Sequence, residues 1–393
     1  MTGQPLPATP STPVRPTARE LTGPGGALPD GAEGLALIKP GVRAQSGYTL
    51  RAPAARRKLN QNECPHDLPA GLKQAILDRA AAAPWQRYPE FVPASLLERL
   101  ATHYGWVPEG VLVGNGSNEL IQATLAVVVA QGDVVVAPSP TFSLYRLLSG
   151  VLGGRFVSVP LTARFGFDVD RIVEVAVRER AQMIVLNSPN NPTGAALPDG
   201  AVERILAETD AFVVCDEAYQ DFGGPSALPL LRRSSRLVVL RTFSKAMGMA
   251  GLRFGVALAH PEVARELAKG KLPYNVNLVT LAAADVALDH VEVFAVRTRA
   301  IVETRERFLP RLARIPGLEV FPTAANFVLI RCLTLSAGEV FRRLHEEHGI
   351  LVRDLSAAPE LAECLRITIG TEEDMEAVLA ALQAILAPAR EGR

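Results

Sequence analysis

The chain has 393 residues, 48% hydrophobic and 21% charged, enough for about two domains and a large core. Its 41 basic and 41 acidic side chains cancel to zero formal charge, so neither nucleic acid nor an anionic membrane is expected as a partner. The four cysteines, Cys64, Cys215, Cys332 and Cys364, form no C-x-x-C pair, which argues against a disulfide framework or a zinc site and suits a reducing cytoplasm.

In chain order, residues 1–34 are rich in Pro, Gly, Thr and Ala, with almost no large apolar side chains. Such a segment buries too little surface to offset its ordering entropy and is expected to be a disordered extension. It has no apolar core of a secretory leader. The most apolar later stretch, Leu120 to Ala130, is interrupted by Gln122 and Thr124, so no membrane span is expected.

From about Leu72, helical and strand patterns alternate. Leu72 to Ala83 carries apolar residues at helical spacing. Gly114-Asn115-Gly116-Ser117-Asn118-Glu119 opens a helix running through Leu120 to Ala130. Strands are expected at Asp133 to Ala137, Met183 to Leu186, Phe212 to Cys215, Leu237 to Leu240 and Phe254 to Ala259. Short, continuously apolar strands between helices predict a mostly parallel sheet covered on both faces. The last hundred or so residues differ, with long amphipathic helices (Val291 to Leu312, Gly338 to His348) and strands at Asn326 to Arg331 and Leu365 to Ile369. They predict a second, smaller α+β domain. The fold class is therefore α/β, a large sheet sandwiched by helices plus a small α+β part.

Each of the first four strands ends in a polar cluster, and open α/β sheets bind ligands at the carboxyl ends of their strands. Gly116, Ser117 and Asn118 open a helix, where backbone amides favour an anion; an ordinary N-capped helix uses the same residues. Asn191 lies in Pro189-Asn190-Asn191-Pro192-Thr193-Gly194, a run of turn formers denser than a plain connection needs. Asp216 ends a buried strand, as a helix cap or as the partner of a buried cation such as a protonated pyridine nitrogen. Thr242, Ser244, Lys245 and Arg253 gather at a fourth strand end, where they can hold a phosphate and set an amine beside an aldehyde. Pyridoxal 5'-phosphate has both groups, and a lysine imine to its aldehyde is the resting state of a large enzyme class. His345 and His348 read as a solvated helix end, not a metal site, because no third ligand is in view.

Asn191-Pro192-Thr193-Gly194, Asp216-Glu217-Ala218-Tyr219, Ser244-Lys245 and Gly251-Leu252-Arg253, in this order on successive strands, resemble fold-type-I pyridoxal-phosphate aminotransferases. The histidinol-phosphate aminotransferase family is the nearer resemblance. It is carried by Leu59-Asn60-Gln61-Asn62-Glu63, Arg87-Tyr88-Pro89-Glu90, Thr242 to Ala246, Ala250 to Arg253, Pro273 to Asn277, Ala325-Asn326-Phe327 and Leu365 to Gly370, and covers about Leu35 to the end.

The resemblance implies roles by matched position. Lys245 would bind the cofactor and act as the general base moving a proton from the substrate Cα, with an amine pKa lowered by its crowded site. Asp216 would bind the pyridinium nitrogen, and Asn191 and Tyr219 the ring oxygen. Tyr145 would stack on the ring. Gly116, Ser117, Asn118, Ser244 and Arg253 would hold the phosphate. Tyr88 would reach the phosphate of a neighbouring subunit, making the active unit a homodimer. Arg353 and Arg366 would take the substrate's anionic groups, and Tyr48 would close over the substrate. The Cys64-Pro65-His66 run departs from the family pattern.

The implied organisation is an extension (1–34), an arm associated with the small domain and the dimer interface (35–80), a large cofactor-binding domain (81–285) and a small domain (286–393). The implied activity is cytoplasmic transamination between L-histidinol phosphate and 2-oxoglutarate, in histidine biosynthesis, with small molecules as the other partners. An aromatic amino-acid aminotransferase and a phosphothreonine decarboxylase are the alternatives. A sensor module of a transcription regulator is disfavoured, since no helix-turn-helix pattern precedes the fold.

Overall fold

The computed structural model describes residues 31–47 and 53–387. Most of the extension and Tyr48 therefore lie outside the described residues. The described residues fall into two compact units, one before and one after the boundary between residues 45 and 46. Within the first, helix Ala32–Leu37 starts inside the segment expected to be disordered, because Ala-Glu-Gly-Leu-Ala-Leu is dominated by strong helix formers. A second short helix, Pro40–Arg43, follows it.

The strands of the second unit are β1 (Arg57–Lys58), β2 (Val111–Asn115), β3 (Val134–Ser139), β4 (Arg155–Pro160), β5 (Met183–Asn187), β6 (Phe212–Asp216), β7 (Leu237–Thr242), β8 (Phe254–Ala259), β9 (Leu318–Val320), β10 (Phe327–Cys332), β11 (Ile350–Leu351), β12 (Arg353–Asp354) and β13 (Cys364–Thr368). A seven-stranded sheet has the order β2-β8-β7-β6-β5-β3-β4. Its β8 runs antiparallel to β2 and β7, whereas β3 to β7 pair in parallel.

Alternate side chains of a strand face opposite ways. Val136, Ile184, Leu186, Val213, Leu237 and Val239 enter a core on one face, and Val135, Met183, Val185, Val214, Val238 and Leu240 a core on the other. Both faces are covered, which is why these strands read as continuous apolar runs. The register sets Asn187 beside Asp216 and Asp216 beside Leu240, so the polar residues that follow each run emerge along one edge.

A four-stranded antiparallel sheet, β12-β13-β10-β9, forms the second core. Ile301, Phe308 and Leu312 of helix Val291–Leu312 pack there with Val378, Leu382 and Ile385 of helix Glu372–Leu386. The parallel pair β1–β11 ties the segment before Asn60 to the same region.

Two strands of the seven-stranded sheet, and the short β1, β9, β11 and β12, escape the sequence patterns. Gly114 and Asn115, expected to open a helix, instead end β2, and the helix is Ser117–Val128 with Gly116 as its N-cap at φ +79°. That left-handed φ suits glycine and makes the turn between strand and helix. The edge strand β4 is only partly buried along most of its length, so it carries no continuous apolar run.

Candidate active site

A cavity of about 630 Å³ opens at the carboxyl ends of β3, β5, β6 and β7. Of the residues singled out in the sequence, Ser117, Asn118, Tyr145, Asn191, Asp216, Tyr219, Ser244, Lys245, Arg253, Arg353 and Arg366 line it. Residues from the four-stranded sheet and from the segment Asn60–Asn62 complete the wall.

Lys245 follows β7, and its Nζ donates to the Gln61 carbonyl at 3.0 Å. Burial, reinforced by the Arg366 guanidinium, lowers its pKa to about 7, against the opposing attraction of Glu63. A large share of this amine is therefore uncharged near neutrality, ready to act as nucleophile or base.

Asp216 is 3% exposed. Its Oδ2 accepts from Tyr145 Oη at 2.6 Å and its Oδ1 from the Ala218 amide at 3.1 Å. Burial raises the carboxyl's pKa, and these bonds and the positive charge of Lys245 only partly offset it. A cation placed against this carboxylate would relieve the cost. The end of β5 is tied to it, because Asn187 Nδ2 donates to the Asp216 carbonyl at 3.0 Å and Asn187 Oδ1 accepts from the Asn191 amide at 2.8 Å.

Tyr145 lines the cavity with its side chain buried and its hydroxyl donating to Asp216, so it holds the carboxylate in place. Phe142, which the sequence reading passed over, stands edge-on to it at 5.6 Å and lines the cavity.

An anion cradle lies at the start of helix Ser117–Val128. No side chain caps that helix, so its first amides are left to a ligand. Thr242 Oγ1 donates to Ser244 Oγ at 3.0 Å, and Arg253 Nη1 donates to Ser244 Oγ at 3.3 Å. A Cβ on Gly116 would collide with the Arg253 guanidinium, and one on Gly255 with the Gly116 backbone, so both glycines are needed for this close approach.

The opposite wall was legible only as a resemblance. Asn62 is buried at φ +55°, and its Nδ2 donates to Tyr219 Oη at 3.1 Å. Arg366 Nη2 donates to the Asn60 carbonyl at 2.8 Å, and its Nη1 donates to Asn191 Oδ1. Arg353 and Arg366 sit directly opposite each other on β12 and β13, on one face of the sheet. Tyr88 is 79% exposed, away from the cavity lining, and stacks on Tyr274 with centroids 4.6 Å apart. No cluster of potential metal ligands occurs among the described residues.

The model of the class I and II aminotransferases matches residues 57–382. The chain belongs to that family. It is 40% identical over 351 residues to a histidinol-phosphate aminotransferase of Chlorobaculum parvum, covering 88% of this chain and 98% of the relative. A histidinol-phosphate aminotransferase of Ruminiclostridium cellulolyticum is 34% identical, over 89% of this chain and 98% of its own length. The crystal structure of the histidinol-phosphate aminotransferase of Sinorhizobium meliloti in complex with pyridoxal-5'-phosphate superposes with a TM-score of 0.80 at 26% identity, over 89% of this chain and 98% of that one. Aminotransferases of this family and this chain thus share the α/β fold whose strand ends build the cavity.

Proposed function

We propose that this aminotransferase uses pyridoxal 5'-phosphate to move the amino group of L-histidinol phosphate to 2-oxoglutarate, giving imidazole-acetol phosphate and glutamate. The observation that carries the substrate class is the arginine pair. Arg353 and Arg366 lie directly opposite each other on neighbouring strands and both line the cavity, a place that calls for an anionic group two guanidiniums can share. A phosphate monoester in one half-reaction and a carboxylate in the other meet that need, and the planar forks of arginine suit both.

The residues present fit the cofactor: an uncapped helix start with Ser244 and Arg253 for its phosphate, a buried carboxylate for its ring nitrogen, and an amine of lowered pKa for its aldehyde. When bound, that group supplies the aldehyde that takes up the amine and a protonated ring that draws electrons from the substrate Cα.

The protein does the rest. Gly116, Ser117 and Asn118 hold the phosphate through the helix start, with Ser244 and Arg253. Asp216, oriented by Tyr145, keeps the proton on the ring nitrogen. Asn191 and Tyr219 hydrogen-bond the ring oxygen, and Asn62 orients Tyr219. Phe142 offers the stacking face first assigned to Tyr145. Lys245 Nζ takes the proton from the substrate Cα, and its lowered pKa matches it to that work. Arg366 and Arg353 bind the substrate's anionic end.

Tyr88 reaches a second copy of the chain, making the working unit a homodimer. Tyr88 and Phe91 are exposed and pack on the Tyr274 ring, an aromatic cluster fit for such an interface. We take the seven-stranded sheet as the centre of a cofactor domain over about 81–285 and the four-stranded sheet as that of a small domain over about 286–393, with 35–80 as the arm. Cytoplasmic work in histidine biosynthesis, on small molecules only, goes with this reading. All four cysteines are free, and no helix among the described residues is long and apolar enough to cross a membrane.

The test is product analysis with 2-oxoglutarate as acceptor. Equal amounts of glutamate and imidazole-acetol phosphate from histidinol phosphate support the assignment. Preferential turnover of phenylalanine, or release of carbon dioxide from phosphothreonine, replaces it with one of the alternatives.

A further inference from the structure

We propose that Glu360 recognises the imidazole ring of the substrate and so sets the preference of this enzyme for histidinol phosphate over phosphates bearing a plain aromatic ring. The proposal rests on the substrate reading above and adds a residue to it.

Two carboxylates line the cavity, Asp216 and Glu360. Asp216 is committed at the floor to Tyr145 and the Ala218 amide. Glu360 stands at the mouth, where its Oε1 accepts a long bond of 3.3 Å from Ser139 Oγ at the end of β3. Among the described residues it forms no ion pair, although Arg146 and Arg353 line the same cavity. Arg146 is turned away, donating to Ser158 Oγ at 2.6 Å with its guanidinium 4.7 Å from the centre of the Phe156 ring.

The backbone that carries Glu360 is well held. It is the middle residue of a single helical turn, Pro359–Leu361. Pro359 restricts the turn on one side. Leu361, 4% exposed, anchors it on the other by packing with Phe165, Phe321, Leu329 and Cys364. The carboxylate is thus displayed from a fixed point.

Phe156 and Leu361, the latter the next residue in the chain, contribute apolar wall to the same cavity. A flat ring with a polar N–H on its edge fits such a slot. Histidinol phosphate carries its imidazole and its phosphate on opposite sides of the amine-bearing carbon. With the phosphate on Arg353 and Arg366 and that carbon at Lys245, the ring is left for the remaining wall. A carboxylate there accepts from the imidazole N–H and favours the protonated ring. A benzene ring has nothing to donate and would leave the carboxylate desolvated without a partner.

The experiment uses the holoenzyme with 2-oxoglutarate and two amino donors, histidinol phosphate and 2-amino-3-phenylpropyl phosphate, which differ only in the ring. In Glu360→Gln and Glu360→Ala the ratio of kcat/KM between the two donors should fall about 10-fold, mainly through a raised KM for histidinol phosphate. Loss of both activities in the same proportion, or no change in either, overturns the proposal, because a merely structural role moves both donors together. A wild-type holoenzyme that turns over neither phosphate would instead remove the substrate reading, and the proposal with it.

Discussion

The floor and the mouth of the cavity are built differently. At the floor, Tyr145, Asp216 and Tyr219 are at most 5% exposed; Asp216 ends β6, Tyr219 follows it, and Tyr145 lies in the first turn of the helix Leu144–Leu152 after β3. At the mouth, Glu360 is exposed and Arg353 only partly buried, and both belong to the region of the four-stranded sheet. Burial at the floor perturbs proton affinities, lowering Lys245 and raising Asp216. The lesson is a division of labour: the floor makes the site reactive, and the mouth decides what reaches it.

The largest expected effect is at the floor. Lys245→Ala should cut kcat by about 10,000-fold or more, since it removes both the nucleophile and the base. The visible band of lysine-bound pyridoxal phosphate should vanish while the far-ultraviolet circular dichroism stays. A variant that keeps more than a few per cent of activity would break the division at its root.

Next comes the boundary between the two regions. Arg366 is 8% exposed and hydrogen-bonded to Asn60 and Asn191. Arg366→Ala should raise KM for histidinol phosphate roughly 100-fold, the scale of losing one partner of a buried charged pair. Arg353→Ala, at a more open position, should cost about 10-fold or less. Equal losses in steady-state kinetics would mean that burial does not rank the two.

A smaller effect separates the two ways of placing Tyr145. Tyr145→Phe keeps a ring but deletes the donor to Asp216, and should lower kcat about 10-fold, the scale of one hydrogen bond to a charged group. Phe142→Ala should weaken cofactor binding instead, read by titrating pyridoxal phosphate into the stripped protein. An unaffected Tyr145→Phe together with a Phe142→Ala that binds cofactor normally would return the stacking role to Tyr145.

The mildest test concerns pH and the protein stripped of cofactor. Between about pH 7 and 10.5 the unfolded chain holds a proton on Lys245 that the folded chain lacks, so this residue makes stability rise with pH through that window. Below it both states are protonated and the full cost of burying the charge is felt. Lys245→Met should therefore be more stable than the wild type by a wider margin at pH 6 than at pH 9 in thermal unfolding. A margin independent of pH would contradict the lowered pKa.

The same division explains what the sequence made legible. Strands β3, β5, β6, β7 and β8 are continuous apolar runs because both of their faces are covered, and the floor residues come at or just after the ends of those runs. Asp216, Tyr219 and Lys245 could be found by reading one short segment at a time. Strands β2 and β4 could not, since one ends in a glycine turn and the other lies at the sheet edge.

The wall opposite the floor comes from far apart in the chain. Asn62 reaches Tyr219 across 157 positions, and Arg366 reaches Asn60 across 306. No local pattern signals such contacts, and only the likeness to a known family pointed at Arg366. Asn62 and Gln61 stood inside a quoted motif but had no role until the contacts supplied one. Glu360 had no signal at all, because an acidic residue in a polar loop is ordinarily just solvated. Tyr145 and Phe142 stand three positions apart in one segment, and only the hydrogen bond to Asp216 tells them apart.

The most direct test of the account is the absorption spectrum of the purified holoenzyme before and after adding histidinol phosphate with no keto acid present. The account predicts that the band of lysine-bound pyridoxal phosphate disappears, the pyridoxamine band grows, and imidazole-acetol phosphate forms in equal amount. A lysine-bound band that histidinol phosphate leaves untouched would contradict the substrate assignment while sparing Lys245. A protein that shows no such band even with added pyridoxal phosphate would contradict the account from the floor upward.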